Sequence, residues 1–416
     1  MSAEIAIALA QANPVAPDPA DTLARLRRMR AEAAARGADL VVFPELFLAS
    51  DEPLECLAAE TADGGPTILV GAPWRAPDGS PFSAAFLLHG GAVAGKALRH
   101  APDERGILAS GPVPGPIRLP LREGAVRLGV MLGADMAGED VAEAASECGA
   151  ELLVVLAGSP FARDAAERRL QQGVTRVTET GLPLLYVNAV GGADGIVADG
   201  GSFVLAADRR LVLQAPWFAE AVTLCRWRHD GDGGWSPASR GPIAPPLPEL
   251  EALWRALVLG LRDQARKRGR EAALLELSDE PDATLLAAVA VEALGVERVR
   301  AVAGAGSAEL AGRLGIRLDA LDTAPAMAAL QRALEPLLGE RPAGGIEAKL
   351  RPGLRDLALA TLAEGLGALL LATEDGGSGF PVLRGLDPLD RQALLRWRNA
   401  GCAEPMPAHP NKQPST

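Results

Sequence analysis

Apolar positions along the first 226 residues alternate between two periods. Ile5–Gln11 is a run of small and branched apolar residues that predicts a strand, and residues 22–36 place Leu23, Leu26, Met29 and Ala33 at helical spacing. Leu40–Phe43 and Thr67–Val70 are again strand-like. Ala84–His89 and Ala92–Leu98 form a pair about the Gly90-Gly91 turn, and Val126–Leu132 follows. A helix over Glu139–Glu147, a strand over Leu152–Leu156, a helix over Arg163–Thr180 and a strand over Leu184–Asn188 come next, before three strands near Phe203, Val212 and Val222. Hairpins and long crossovers in one series predict a layered α/β domain with mixed sheets over residues 1–226.

Residues 227–248 break the pattern. His229-Asp-Gly-Asp-Gly-Gly-Trp235 and the prolines at 237, 242, 245, 246 and 248 predict an irregular interdomain linker. A second α/β series over 249–400 then reads as helix 250–267, strand 272–277, helix 283–294, strand 298–302, helices 308–314, 327–338 and 354–366, and strand 368–372. That cadence predicts a doubly wound parallel sheet. Residues 401–416 read as a flexible tail.

Composition narrows the function classes. The chain has 416 residues, 48% of them hydrophobic and 23% charged, with a net charge of −12; it is a folded protein, and its acidity argues against a general nucleic-acid or anionic-membrane binder. No apolar run reaches the roughly 18–20 residues of a membrane span, and the N-terminus lacks the basic region of a signal peptide, so the expected location is the cytoplasm. Only Lys96, Lys267, Lys349 and Lys412 are lysines, so each lysine is a rare event in an arginine-rich chain. The cysteines at 56, 148, 225 and 402 show neither zinc-ligand spacing nor a disulfide framework, and no metal site is expected.

Several segments carry a resemblance. They are Val42-Phe-Pro-Glu-Leu-Phe-Leu48, Ala58-Ala-Glu-Thr-Ala-Asp-Gly-Gly-Pro66, Val70-Gly-Ala-Pro-Trp74, Gly149-Ala-Glu-Leu-Leu-Val-Val-Leu-Ala-Gly-Ser-Pro-Phe161, Glu179-Thr-Gly-Leu-Pro-Leu-Leu-Tyr-Val-Asn188 and Asp199-Gly-Gly-Ser-Phe-Val-Leu205. Leu257-Val-Leu-Gly-Leu-Arg-Asp263, Gly365-Leu-Gly-Ala-Leu-Leu-Leu371 and Arg396-Trp-Arg-Asn399 continue the series. In this order they resemble the glutamine-dependent NAD⁺ synthetase family. The resemblance implies a nitrilase-like αββα sandwich, a glutaminase of the carbon–nitrogen hydrolase type, followed by a doubly wound ATP-pyrophosphatase domain that uses ATP and magnesium.

A nitrilase-type amidase needs a thiol nucleophile, a carboxylate base and a lysine that stabilises developing charge. The resemblance puts the base at Glu45 and the lysine at Lys96. The nucleophile position falls on Gly133 in Val130-Met-Leu-Gly-Ala-Asp-Met-Ala137, where the family reads Ile-Cys-Glu-Asp; Asp135 remains. Cys148, at the end of a predicted helix, offers no rescue and reads as a small buried hydrophobe. The loop after the lysine is shortened to Leu98-Arg-His-Ala-Pro-Asp-Glu104. Ser159 and Arg163 match the substrate-contact region, as does Arg168, although arginines on a helix are usually a solvated face.

The family's phosphate loop, Ser-Gly-Gly-Ile-Asp-Ser, corresponds to Ser278-Asp-Glu-Pro-Asp-Ala283. Ser278 and Asp282 persist, but Asp279 and Glu280 replace the glycines that let a backbone approach phosphate, and Pro281 removes an N–H donor. The stretch instead reads as a good helix start, with Ser278 as capping hydroxyl, acids in the first turn and an early proline. The long substrate loop is cut to Ala303-Gly-Ala-Gly-Ser307, and the family's lysine-bearing loop reads Thr373-Glu-Asp-Gly-Gly-Ser378. Losses at both centres point to a catalytically incompetent member that needs neither ATP nor magnesium, acting as a partner or regulatory paralogue in NAD biosynthesis. An active or residual synthetase and a nucleotide-binding sensor are the alternatives. The resemblance implies oligomer-forming surfaces, for a homo-oligomer or for a hetero-oligomer with an intact NAD synthetase.

Overall fold

The computed structural model describes residues 3–14, 19–103, 106–121, 124–193, 195–231, 234–304, 306–338, 343–373 and 377–400. The tail 401–416 with Cys402, Glu104 of the shortened loop, Ala305, and Glu374, Asp375 and Gly376 of the altered lysine loop lie outside the described residues. Two compact units divide between Leu247 and Pro248.

The first unit contains β1 (Glu4–Gln11), α1 (Pro19–Ala35), β2 (Leu40–Val42), α2 (Leu54–Glu60), β3 (Thr67–Arg75), β4 (Pro81–His89), β5 (Ala92–Leu98), β6 (Ile117–Pro120), β7 (Ala125–Leu132), α3 (Asp140–Glu147), β8 (Leu152–Ala157), α4 (Ala165–Thr180), β9 (Leu184–Asn188), β10 (Val190–Ala193), β11 (Ile196–Asp199), β12 (Phe203–Leu205), β13 (Leu211–Gln214), β14 (Ala221–His229) and β15 (Trp235–Pro237). Seven strands form one sheet in the order β15-β14-β1-β2-β3-β4-β5, and six form another in the order β13-β12-β9-β8-β7-β6. Their facing sides interdigitate Ile7, Leu9, Val42 and Leu69 with Leu128, Val130, Val154 and Leu185, a dry core between sheets. On the outer face of the first sheet, Leu26, Met29 and Ala33 of α1 and Leu57 of α2 cover Val41, Ile68 and Val70. Val141 and Ala145 of α3 and Val177 of α4 cover Leu153, Val155 and Tyr186 of the second. The expected αββα layering is therefore present.

The segment expected to be an irregular linker belongs to this sandwich. Trp227 and His229 pair with Pro237 and Trp235, so β15 extends the seven-stranded sheet as an edge strand, and Trp235 is buried in the inter-sheet core. Further on, Gly241 N–H donates to Val212 O, Ala244 N–H donates to Gln214 O and Trp217 Nε1 donates to Pro245 O. Proline is tolerated at such an edge because no ladder donor is demanded of it there.

The second unit comprises α5 (Glu249–Lys267), β16 (Ala272–Leu277), α6 (Pro281–Leu294), β17 (Val299–Ala303), α7 (Ser307–Leu314), β18 (Arg317–Asp319), α8 (Ala324–Leu338), α9 (Ala343–Gly365), β19 (Ala368–Ala372), β20 (Phe380–Pro381) and α10 (Pro388–Ala400). All five strands run parallel in the order β18-β17-β16-β19-β20. Sheet order reverses at β16, which makes the carboxyl end of that strand the topological switch point where such folds bind ligands. Leu274 and Val302 pack against Leu359 and Ala363 of α9. Trp254 of α5 and Trp397 of α10 lie 6.1 Å apart, and Arg398 stacks over the Trp254 ring at 5.3 Å while reaching Glu292 of α6. The Arg396-Trp-Arg-Asn399 stretch thus belongs to a helix that continues to Ala400 and helps join three helices.

Candidate functional site

Glu45 lies just beyond β2, in a turn held by backbone bonds from Phe43 N–H to Leu69 O, Gly71 N–H to Pro44 O and Leu48 N–H to Gly71 O. A Cβ on Gly71 would meet Leu46 N and Pro44 O at 2.5 Å, so the close approach that aims Glu45 needs glycine there. The Glu45 side chain is 9% exposed. Its Oε1 accepts from the Ser83 hydroxyl at 2.7 Å and from Arg99 Nη1 at 3.4 Å. Burial pushes its pKa above the usual glutamate range; the Ser83 bond and the Arg99 charge oppose that rise, and the nearby Asp135 carboxylate adds to it.

Lys96 does not join this cluster. On β5 it faces outward, with Nζ 3.2 Å from the centroid of the Trp74 ring, and no carboxylate among the described residues pairs with it. Partial desolvation lowers its pKa. The basic residue that touches Glu45 is Arg99. Alternation explains the correction: Ala97 points into the inter-sheet core, and Arg99, two residues on, points the same way and is 8% exposed. Arg99 Nη2 also lies 3.1 Å from Asp103 Oδ1.

Gly133 begins the turn after β7 with φ +45°, and a Cβ built there would overlap Glu45 Oε2. The structure therefore brings Glu45 and Gly133 together, with no atom at 133 that could form a thioester. Asp135, 2% exposed, accepts from His100 N–H at 3.0 Å, Ala101 N–H at 2.7 Å and Leu132 N–H at 3.0 Å. Its role is to tie the shortened loop to the turn; burial raises its pKa against those three bonds.

Ser159 follows β8, its N–H bonded to Asn188 Oδ1 at 2.9 Å and its hydroxyl accepting from Arg169 Nη1 at 3.3 Å. Arg163 is exposed at the approach to α4, and Arg168 is a solvated side chain paired with Asp164 at 2.6 Å. The arginine that matters structurally is Arg169, which pairs with Asp199 at 2.7 Å where both are about 5% exposed or less. Helical spacing of Ala165, Arg169, Gly173 and Arg176 on the buried face was its available signal. Cys148 is exposed at the end of α3, contrary to the expectation of a buried hydrophobe; among the described cysteines, Cys225 is the one inside the core.

At the switch point of the second unit, α6 starts with Glu280 as N-cap and Pro281 in its first turn. Ser278 does not cap the helix; its hydroxyl only receives Glu280 N–H at 3.4 Å, because the extended Glu280 backbone, not Ser278, stands at the cap. Asp279 and Glu280 are exposed, and Asp279 packs against Gly306, where an added Cβ would meet it at 2.9 Å. Asp282 pairs with Arg391 of α10 at 2.6 Å. Gly304 N–H donates to Leu277 O at 2.8 Å, and Arg355 of α9 bonds Glu276 at 2.6 Å and Ala303 O at 2.8 Å. ATP with magnesium does not fit these residues: Asp279 and Glu280 put two exposed carboxylates at the helix start, Pro281 offers no N–H, and Gly304 N–H and Arg355 are already bonded. Ser378 bonds Asp356 of α9 through its hydroxyl at 2.8 Å. Among the described residues, no group of three or more His, Cys, Asp or Glu could hold a metal ion, and no helix is long and apolar enough to cross a membrane.

Comparison with known proteins places both units. Residues 6–226 match the carbon–nitrogen hydrolase family. The chain is 34% identical to a glutamine-dependent NAD(+) synthetase of Rhodobacter capsulatus, over 96% of this chain and 79% of that protein. It belongs to the glutamine-dependent NAD(+) synthetase family. A second such synthetase, from Thermotoga maritima, is 26% identical over 95% of this chain and 81% of its own length. The structure of the Acinetobacter baumannii glutamine-dependent NAD+ synthetase, in complex with ADP, superposes with a TM-score of 0.84 at 24% identity, covering 97% of this chain and 84% of that one. That likeness establishes the nitrilase-like αββα unit and the parallel-sheet unit as a family fold.

Proposed function

We propose that this member of the NAD synthetase family is a non-catalytic, cytosolic partner or regulatory paralogue in NAD biosynthesis. The observation that carries the reading is Gly133: the nucleophile position has no side chain, and the carboxylate that would serve as base occupies the adjacent space. Without a thiol, no acyl-enzyme can form, and Glu45 has no proton to take from a nucleophile. The rewritten stretch Ser278–Asp282 supports the same reading independently, since it offers repulsion where the ligase reaction needs phosphate binding. Neither ATP nor magnesium is then required, and the function lies in surfaces shared with relatives, a homo-oligomer or an assembly with an intact synthetase.

The names of the relatives favour a second reading, a synthetase that makes NAD⁺ from nicotinate adenine dinucleotide, ATP and glutamine or ammonia. The experiment is to add the purified protein to an intact NAD synthetase and to assay it alone. The proposal expects co-elution and an altered rate of the intact enzyme, with no NAD⁺ from this chain by itself. NAD⁺ formed by this chain alone would overturn it.

A further inference from the structure

Glu45 Oε1 is held from two directions, by the Ser83 hydroxyl and by Arg99 Nη1, and this leaves Oε2 turned toward residue 133. A Cβ at 133 would overlap Oε2 and lie 3.3 Å from Cδ, so the obstruction is the carboxylate itself. Arg99 is buried and reaches a second carboxylate, Asp103, whose Oδ2 in turn accepts from Ile107 N–H and Leu108 N–H. Asp135 anchors the same loop through His100 N–H and Ala101 N–H. One guanidinium therefore fastens Glu45 to the loop after β5, between two carboxylates. Its Nε and Nη2 have no hydrogen-bond partner among the described residues, so the position of Arg99 is set by the Nη1 bond to Glu45 and by the charge of Asp103 rather than by a full complement of bonds.

We propose that Arg99 is a positioning residue that keeps the Glu45 carboxylate in the volume a side chain at 133 requires, so that the site is shut against its own nucleophile position. The proposal rests on the reading that the first unit does not hydrolyse amides, and extends it by naming what holds the site closed. A cysteine placed at 133 alone then fails to turn glutamine and water into glutamate and ammonia. Two causes compete for the intolerance of position 133: overlap with Glu45, and the left-handed backbone, which penalises any Cβ.

A mutant cycle separates them. Gly133→Ala lowers the melting temperature of the first unit by about 8 °C in the wild-type background and by about half that in Glu45→Ala and in Arg99→Gln. An equal loss in all three backgrounds assigns the cost to the backbone and overturns the proposal; relief in Glu45→Ala without relief in Arg99→Gln removes Arg99 from it. A carbon-13 titration of the Glu45 carboxyl gives a readout that packing alone does not move: Arg99→Gln raises the midpoint, and Arg99→Lys returns it toward the wild-type value. An unchanged midpoint contradicts the positioning role, as does ammonia release from glutamine by Gly133→Cys. None of these readouts uses NAD⁺ formation, so the wider functional reading stands or falls separately.

Discussion

Around Glu45, the hydroxyl of Ser83, the guanidinium of Arg99 and the three N–H bonds of Asp135 enclose a backbone position without a side chain. Around Ser278–Asp282, the residues nearest the switch point are exposed acids, a proline and a carboxylate already paired with Arg391. The first centre is a buried polar frame around a position without a side chain, and Lys96 stands outside it. The second is a strand end and helix start that carries exposed acids and a proline, residues that do not suit phosphate. A buried polar frame resists piecemeal change because each unpaired group costs free energy, whereas an exposed loop at a helix start accepts new residues that suit the helix. The contrast is between a site framed by buried hydrogen bonds and an exposed helix start.

Removing a member of the first frame is the strongest way to break this contrast. Asp135→Ala leaves three N–H groups without their acceptor in a largely buried turn and destabilises the first unit by about 3 kcal/mol, measured by denaturant unfolding. A loss below about 1 kcal/mol would mean that the frame is not maintained by its bonds.

A smaller effect comes from pH. Burial holds the Glu45 carboxyl above the ordinary glutamate value of 4.5, so the folded protein binds that proton more tightly than the unfolded chain does. The resulting stability is fully present below the ordinary value and is lost as pH rises through the folded one. Glu45→Gln cannot titrate, so its melting temperature relative to wild type climbs with pH from about 4.5 upward; a difference that is flat across that window, or falls, contradicts the assigned cause. The smallest effect belongs to the second centre. Asp282→Ala removes a partly exposed pair with Arg391 and costs the second unit about 1 kcal/mol or less. A larger loss would show that this loop, too, is held by its polar contacts.

Much of the fold was legible because strand and helix periods survive in a core of small apolar residues. The sheet order was not, since pairing between β1 and β14 or the place of β16 at the centre depends on contacts far apart in the chain. Residues 227–248 misled because glycine and proline mark loops by local conformation, while Trp235 and Pro237 form a strand through pairing with β14. At the first site, the motifs single out Glu45 and Gly133, and these two residues adjoin in the structure. Lysine rarity drew attention to Lys96, although alternation along β5 already placed Ala97 and Arg99 inward and Lys96 outward. Arg169 and Asp199 escaped notice because a charge is expected at the surface, and only the helical spacing of α4 marks the arginine as buried. Ser278 was read as a cap from residue type alone, but the cap depends on where the extended backbone ends, at Glu280.

Both centres can be tested in one turnover assay with two nitrogen sources. Purified protein is supplied with nicotinate adenine dinucleotide, ATP and magnesium, with glutamine in one arm and ammonia in the other, and NAD⁺ is measured against an enzyme-free control. The expected result is background in both arms. NAD⁺ from ammonia would contradict the loss of phosphate binding at Ser278–Asp282, and NAD⁺ from glutamine would contradict the loss at Gly133 as well.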